Sequence, residues 1–352
     1  MPTKKRTSRT SSTSEKKGRA LPPVVVSMGC PSGVGPELIA AHLAAHPESP
    51  LWIVGDRPAL VAGARARKLD PGLIEALADE PTPGLSCLLQ EGAPLSASDR
   101  KPGRPSALGG QRQLLYIERG YELAKESGLS LSTLPVSKEA IAHSGLRRAQ
   151  SFRGHTEWLE QLDGAPYSVM CFAAERLITS LVTTHIPLGR VPKVLSPELV
   201  RRATTEVAKL AMALRGRAPK VAVCSLNPHA GEGELLGREE ALAIAPGIAL
   251  AKKELGRKAT VLGPIGAETA IRKGAAGTYD AVVAMYHDQA TIPMKLLDFG
   301  GSVNVTQGLS IVRTSVDHGT AYDIAGRGLA QLRGLEAAVQ LARKLCDARV
   351  SS

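Results

Sequence analysis

Three of the chain's eight histidines stand just past the C-terminal end of an apolar run. His185 closes LITSLVTTH, His229 lies three residues beyond KVAVCSL, and His287 ends YDAVVAMYH. Open α/β sheets bind their ligands beyond the carboxyl ends of the strands. Neutral imidazoles hold Zn²⁺ and its relatives well, and three protein ligands with open positions make a catalytic metal site. Each histidine alone reads as a satisfied structural residue. Three in one topological position point instead to a divalent-cation centre.

Lys295, Asn304 and Arg313 follow His287, with nine residues from each to the next. Lysine brings a compact charge, arginine a planar fork, and asparagine both a donor and an acceptor. Together they could hold a carboxylate or a phosphate. The competing reading is three solvated residues on a surface hairpin. For proton transfer the candidates are Asp288, beside His287, and Lys295, and the sequence does not choose between them.

The elements that must carry these residues alternate. VVVSM (24–28), LWIVG (51–55), LITSLVTT (177–184), KVAVCSL (220–226), ATVLG (259–263) and YDAVVAM (279–285) read as strands, with LSTLPV a further β-like run. Helical patterns cover RPALVAGARARK, residues 109–128 and GLEAAVQLARKLCDA. This order argues a mostly parallel sheet covered on both faces. GCPSGVGPE (29–37) follows the first strand and opens a helix, but its spacing matches neither the Rossmann fingerprint nor the P-loop. It reads as a tight strand-to-helix turn with Pro36 at the helix start. Pro/Gly-rich stretches near 91–105 and 143–154 read as loops or boundaries.

At 352 residues and 43% hydrophobic, the chain has room for two α/β domains. The net charge of +11 raises the question of nucleic acid. Residues 1–20 hold seven Lys/Arg against Glu15, so +6 of that charge sits in an unpatterned Ser/Thr-rich leader, and +5 is spread over the rest. That composition predicts a disordered, solvated tail over residues 1–22 and no specific nucleic-acid site. No apolar run approaches the ~18 residues of a membrane span. Five scattered cysteines without paired spacing, and no visible secretory signal, predict a cytoplasmic protein.

These motifs together resemble the 4-hydroxythreonine-4-phosphate dehydrogenase (PdxA) family. GCPSGVGPEL, PVSKEAI, GHTEWL, TTHIPL, LNPHAGEGELLGREE, GPIGAET, AMYHDQATIPMK, VNVTQGL and RTSVDHGTAYDIAG carry the likeness over most of residues 23–345. The resemblance implies two α/β/α domains of the isocitrate/isopropylmalate dehydrogenase type, with the active site in the interdomain cleft of a homodimer. The first would be discontinuous, residues 23–150 plus about 305–352, and the second about 151–304.

The resemblance also implies that His185, His229 and His287 bind one divalent cation (Zn, Mg or Co), one of them across the dimer. Substrate contacts would fall on His155, Thr156, Lys295, Asn304 and Arg313. His318, Gly319, Thr320 and Asp323 would meet NAD or NADP. The implied reaction is oxidation of the secondary alcohol of 4-phosphooxy-L-threonine to a β-keto acid, which loses CO₂ to give 3-amino-2-oxopropyl phosphate in pyridoxal phosphate biosynthesis. Relatives act on erythronate or threonate phosphates. A metal-dependent hydrolase is the remoter alternative, needing no dinucleotide. Two positions depart from the family pattern: Cys30 stands where an acid is usual, and Glu268 replaces an aspartate, which makes Glu268 a third candidate for proton transfer.

Overall fold

The structure, a computed structural model, describes residues 21–350. The basic leader of residues 1–20 lies outside the described residues. Eleven strands form one sheet: β1 Val24–Ser27, β2 Leu51–Gly55, β3 Cys87–Gln90, β4 Leu131–Thr133, β5 Val169–Ala173, β6 Ile178–Leu181, β7 Lys220–Cys224, β8 Thr260–Ile265, β9 Ala281–Ala284, β10 Val303–Gln307 and β11 Arg313–Val316. Their order is β3-β2-β1-β4-β11-β10-β5-β6-β9-β7-β8. Every residue of β1, β2, β5, β6 and β9 is buried. Such continuous apolar runs are what a sheet covered by helices on both faces requires.

The sheet is mostly parallel, as expected: its flanks are parallel and only its centre is not. The pairs β11–β10, β10–β5 and β5–β6 are antiparallel. For the first and last of these pairs the reason lies in the connections. Residues 308–312 and 174–177 are too short for a crossover, and short links join antiparallel neighbours. The 150/151 division expected between domains falls in the 3₁₀ turn Arg147–Ser151, and the 304/305 division falls inside β10. Both expected halves therefore contribute strands to the same sheet.

GCPSGVGPE forms the tight turn expected of it, and the structure gives each small residue a reason. Gly29 has φ +73°, and a Cβ there would lie 2.4 Å from the Pro135 carbonyl oxygen. A Cβ on Gly35 would lie 2.2 Å from the Met28 carbonyl oxygen. Pro36 sits in the first turn of the helix Gly35–Ala45. Glu37 is buried, and its carboxylate accepts the backbone N–H groups of Gly326, Gly328 and Ala330 at 3.1–3.3 Å. The motif thus packs the helix start against the end of β1 and ties down the chain that follows DHGTAYDIAG. Because the opposing atom at Gly35 is backbone, Gly35→Ala is expected to destabilise the fold by about 1–3 kcal/mol, read as a shift of the urea midpoint at unchanged slope.

Candidate active site

A cavity of about 350 Å³ opens over the antiparallel centre of the sheet. Strand register explains its polarity. Arg313 pairs with Thr306 and Ser315 with Asn304 across β10–β11, and Asn304 pairs with Phe172 of β5. Thr133 of β4 lies beside Ser315. Side chains alternate faces along a strand, so Arg313 and Ser315 share one face with their partners Thr306 and Asn304. Thr314 turns to the other face, where its hydroxyl donates to the Ala338 carbonyl at 3.1 Å.

Arg313 is 2% exposed. Its guanidinium donates to the Thr306 hydroxyl at 2.9 Å and to the Thr133 hydroxyl at 2.7 Å, and its Nε has no partner. No carboxylate among the described residues lies within ion-pair distance of it. Burial lowers its pKa to about 10, with Glu157 opposing from farther off. Two further buried polar atoms of this cavity lack partners: His155 Nε2 and Asn304 Oδ1. Buried polar groups are nearly always satisfied, so three orphans in one cavity mark where a ligand's complementary atoms belong. Burial, with the charges of Arg313 and Lys138, holds His155 well below its ordinary pKa and therefore neutral at physiological pH. Thr156, next along the helix His155–Asp163, lines the same space. The surface-hairpin alternative for Asn304 and Arg313 does not hold, because their hairpin is the middle of the sheet.

His185 lies four residues beyond β6, and His287 is the first residue of the helix His287–Leu297. Their ring centroids are 5.6 Å apart, both on the cavity wall. His287 Nδ1 bonds the Asp288 carboxylate at 2.7 Å. His185 Nδ1 lies 3.9 Å from Glu157, whose carboxyl it holds below the usual range.

His229 does not line this cavity. It sits exposed on the turn Pro228–Gly231, in left-handed backbone at φ 50° followed by Ala230 at φ 54°. Glu240 anchors that turn by accepting the Leu226 and Asn227 N–H groups at 2.8 Å and the Asn227 amide at 2.9 Å. Among the described residues no three His, Cys, Asp or Glu side chains gather into a metal-binding group within the single chain.

Two of the proton-transfer candidates are placed unlike the third. Asp288 is committed to His287 and faces solvent. Glu268 is on the surface, paired with Arg272 at 2.7 Å, and does not line the cavity. Lys295 lines the cavity and also a neighbouring one of about 300 Å³, walled by apolar residues such as Val34, Phe299, Ile324 and Leu329. His318 lines both cavities and Gly319 the first, while Thr320 and Asp323 line neither. Cys30 is buried with its thiol beside the Tyr322 hydroxyl at 3.3 Å. It lies outside both cavity walls, so its departure from the family pattern removes no charge from the cavity lining.

Several lining residues escaped the reading of the sequence: Thr133, Lys138, Glu157, Ser315 and Asp317. For the last two a signal existed. In RTSVD the polar residues Arg313, Ser315 and Asp317 alternate, as they must on one face of a strand and its extension.

A family model described as "Pyridoxal phosphate biosynthetic protein PdxA" matches residues 48–342. The 4-hydroxythreonine-4-phosphate dehydrogenase of Geobacter metallireducens is 40% identical over 342 residues, 94% of this chain and 97% of its own. A Bradyrhizobium diazoefficiens protein, named provisionally as a D-threonate 4-phosphate dehydrogenase, is 39% identical over 343 residues, 92% of this chain and 96% of its own. The crystal structure of 4-hydroxythreonine-4-phosphate dehydrogenase from Klebsiella pneumoniae, at 34% identity, gives a TM-score of 0.77 over 93% of this chain and 99% of that one.

Proposed function

Because the chain belongs to the family of the pyridoxal phosphate biosynthetic protein PdxA, we propose that it oxidises the secondary alcohol of 4-phosphooxy-L-threonine with NAD or NADP. The product is a β-keto acid that loses CO₂ to give 3-amino-2-oxopropyl phosphate. As a member of this family the chain is an oxidoreductase. The observation that carries the substrate class is Arg313, a buried guanidinium with no carboxylate partner, in a cavity that also holds the orphaned His155 Nε2 and Asn304 Oδ1. A buried charge without a partner is strongly unfavourable, and an anionic ligand relieves it. In this reading Arg313, Lys295, Asn304, His155 and Thr156 hold the phosphate and carboxylate, and Lys138 adds charge at the rim.

The donor set suits a divalent cation. His185 and His287 are paired imidazoles, and Asp288 fixes the orientation of His287 as carboxylates do behind metal-bound histidines. The third imidazole, His229, would come from a second copy of the chain in a homodimer. In support, His229 is exposed outside its own cavity, close in sequence to the exposed leucines Leu235, Leu236 and Leu242. When bound, the cation supplies Lewis-acid stabilisation of the alkoxide and the nicotinamide supplies the hydride acceptor.

The chain's own residues do the rest. Lys295 lines both the anion cavity and the apolar cavity beside it, so it stands where the carbinol would meet the nicotinamide. We assign the proton transfer to Lys295, and Asp288 to orienting His287. The two expected domains would be the two flanks of the single sheet, with the site at their junction. No helix among the described residues is long and apolar enough to cross a membrane.

A second reading keeps the chemistry and replaces the substrate with threonate or erythronate 4-phosphate, favoured by the Bradyrhizobium relative. The test is NAD⁺ and NADP⁺ reduction with purified, metal-supplemented protein against these four-carbon phosphates. The expected result is the highest kcat/KM with 4-phosphooxy-L-threonine. Reduction with none of them would overturn the dehydrogenase reading and favour metal-dependent hydrolysis.

A further inference from the structure

Glu157 and His185 come from different parts of the chain and meet at the wall of the anion cavity. Glu157 is the third residue of the helix His155–Asp163, and His185 stands on the connection that leaves β6. No helix or strand fixes the His185 ring, whose side chain is 49% exposed. The Glu157 carboxylate lies 3.9 Å from its Nδ1, and no other side chain among the described residues forms a hydrogen bond or ion pair with it. His287 shows the same arrangement in a tighter form, with Nδ1 on the Asp288 carboxylate at 2.7 Å.

The backbone leaves room for the Glu157 carboxylate. A Cβ on Gly154 would lie 2.8 Å from Glu157 Oε2. Gly154 has φ 166°, which any residue adopts, so the demand is for space and not for conformational freedom. Oε2 is thus seated over Gly154 at the start of the helix, where negative charge is favoured, and Oε1 is the oxygen nearer His185. The four residues GHTE act together: His155 and Thr156 line the anion cavity, Gly154 clears a place beside it, and Glu157 fills that place.

A neutral imidazole carries one proton, and the nitrogen left without it is the one that can bind a metal. A carboxylate beside Nδ1 draws the proton there and leaves the lone pair on Nε2. Applied to both rings, this leaves two Nε2 lone pairs on one cavity wall, with ring centroids 5.6 Å apart.

Resting on the cation site described under the proposed function, we propose that Glu157 is a positioning residue for His185. It accepts the Nδ1 proton, orients the ring, and leaves Nε2 to a divalent cation. Hydrogen bonds of a site are often long before its ligand binds, so the 3.9 Å separation is expected to close when the cation is held. The competing role is an acid that serves only the helix start, which would bear on stability alone.

The test compares wild type with Glu157→Ala, both labelled with ¹⁵N at histidine. At about pH 8 without metal, long-range ¹⁵N–¹H spectra give the tautomer of His185, assigned with the help of His185→Ala. The wild type is expected to hold the proton on Nδ1, and Glu157→Ala to move it largely to Nε2. Competition with a chelating indicator then gives the affinity for Zn²⁺, expected to fall about ten- to a hundredfold in Glu157→Ala, with saturating Zn²⁺ restoring most of the turnover. Glu157→Gln keeps an acceptor of the same length and is expected to retain the wild-type tautomer and most of the affinity. A wild type with the proton on Nε2 would overturn the proposal. So would a tautomer or a Zn²⁺ affinity that Glu157→Ala leaves unmoved, a turnover that Zn²⁺ does not restore, or a Glu157→Gln variant as weak as Glu157→Ala. If Glu157→Ala does not fold, Glu157→Ser replaces it, and the wild-type tautomer decides on its own. A wild type that binds no Zn²⁺ would sink the proposed cation site, and the tautomer alone would then decide this inference.

Discussion

Arg313→Met is expected to lower kcat/KM by about a hundredfold and, in the absence of ligand, to leave the protein about as stable as the wild type. The two effects share one cause. In the free protein the guanidinium is buried on hydroxyl partners alone, and burial pulls its pKa down to about 10. At about 1.4 kcal/mol per tenfold in acidity, holding it charged costs the fold about 3 kcal/mol. Its two hydrogen bonds to hydroxyls are charge-assisted, at about 1.5 kcal/mol each or more, and roughly offset this. A methionine of similar length removes the penalty and the bonds together, for little net change in stability.

With ligand bound the balance tips toward arginine, because a further charge-assisted contact to a phosphate or carboxylate contributes about 1.5–3 kcal/mol per bond. Added phosphate should therefore raise the melting temperature of the wild type and not of the variant. For a base whose pKa is lowered on folding, the penalty is full below the folded value and shrinks as pH rises through it. The stability gap should thus be flat from pH 6 to 9. Arg313→Lys should restore little activity, since two hydroxyls and a ligand demand a planar fork. A melting temperature well below wild type, with no loss of phosphate response, would show that Arg313 is a structural residue.

His185→Ala and His287→Ala are each expected to remove bound metal and lower turnover at least about a thousandfold. The two rings face one another at 5.6 Å on the wall of the same cavity, and neither has the burial of a core histidine. Asp288→Ala serves as the discriminating companion. If Asp288 only orients His287, its loss weakens metal affinity about ten- to a hundredfold and excess metal restores most of the activity. If it were the proton acceptor, saturating metal would restore nothing. Elemental analysis beside steady-state kinetics reads both quantities. Full metal occupancy in the two alanine variants would remove the cation from the proposed site.

His185 and His287 were legible in the sequence because strand ends are local features, and LITSLVTTH and YDAVVAMYH announce them. That His229 stays out of its own chain's cavity was not, since spacing carries no distance. Lys295, Asn304 and Arg313 were legible as residue types. Their arrangement was not, because the hairpin of β10 and β11 reads locally like any exposed β-ribbon. Only its insertion between β4 and β5 buries Arg313. The strands β3 and β5 passed unrecognised because CLLQ and VMCFA are short apolar runs without alternation, which periodicity cannot separate from buried helix. Glu268 looked catalytic by its place in a motif, and its bond to Arg272 on the surface is a contact that no spacing predicts.

The position of the β10–β11 hairpin also bears on the order in which the molecule is made. Until residues 303–316 leave the ribosome, β4 and β5 have no partners on their inner sides, and each is the bare edge of a separate half-sheet. Bare edges invite pairing with other chains, so the nascent protein carries this hazard for most of its synthesis. The strands that end it bring Asn304 and Arg313 with them. The segment that closes the sheet therefore also completes the anion site, and a chain arrested before it would lack both at once.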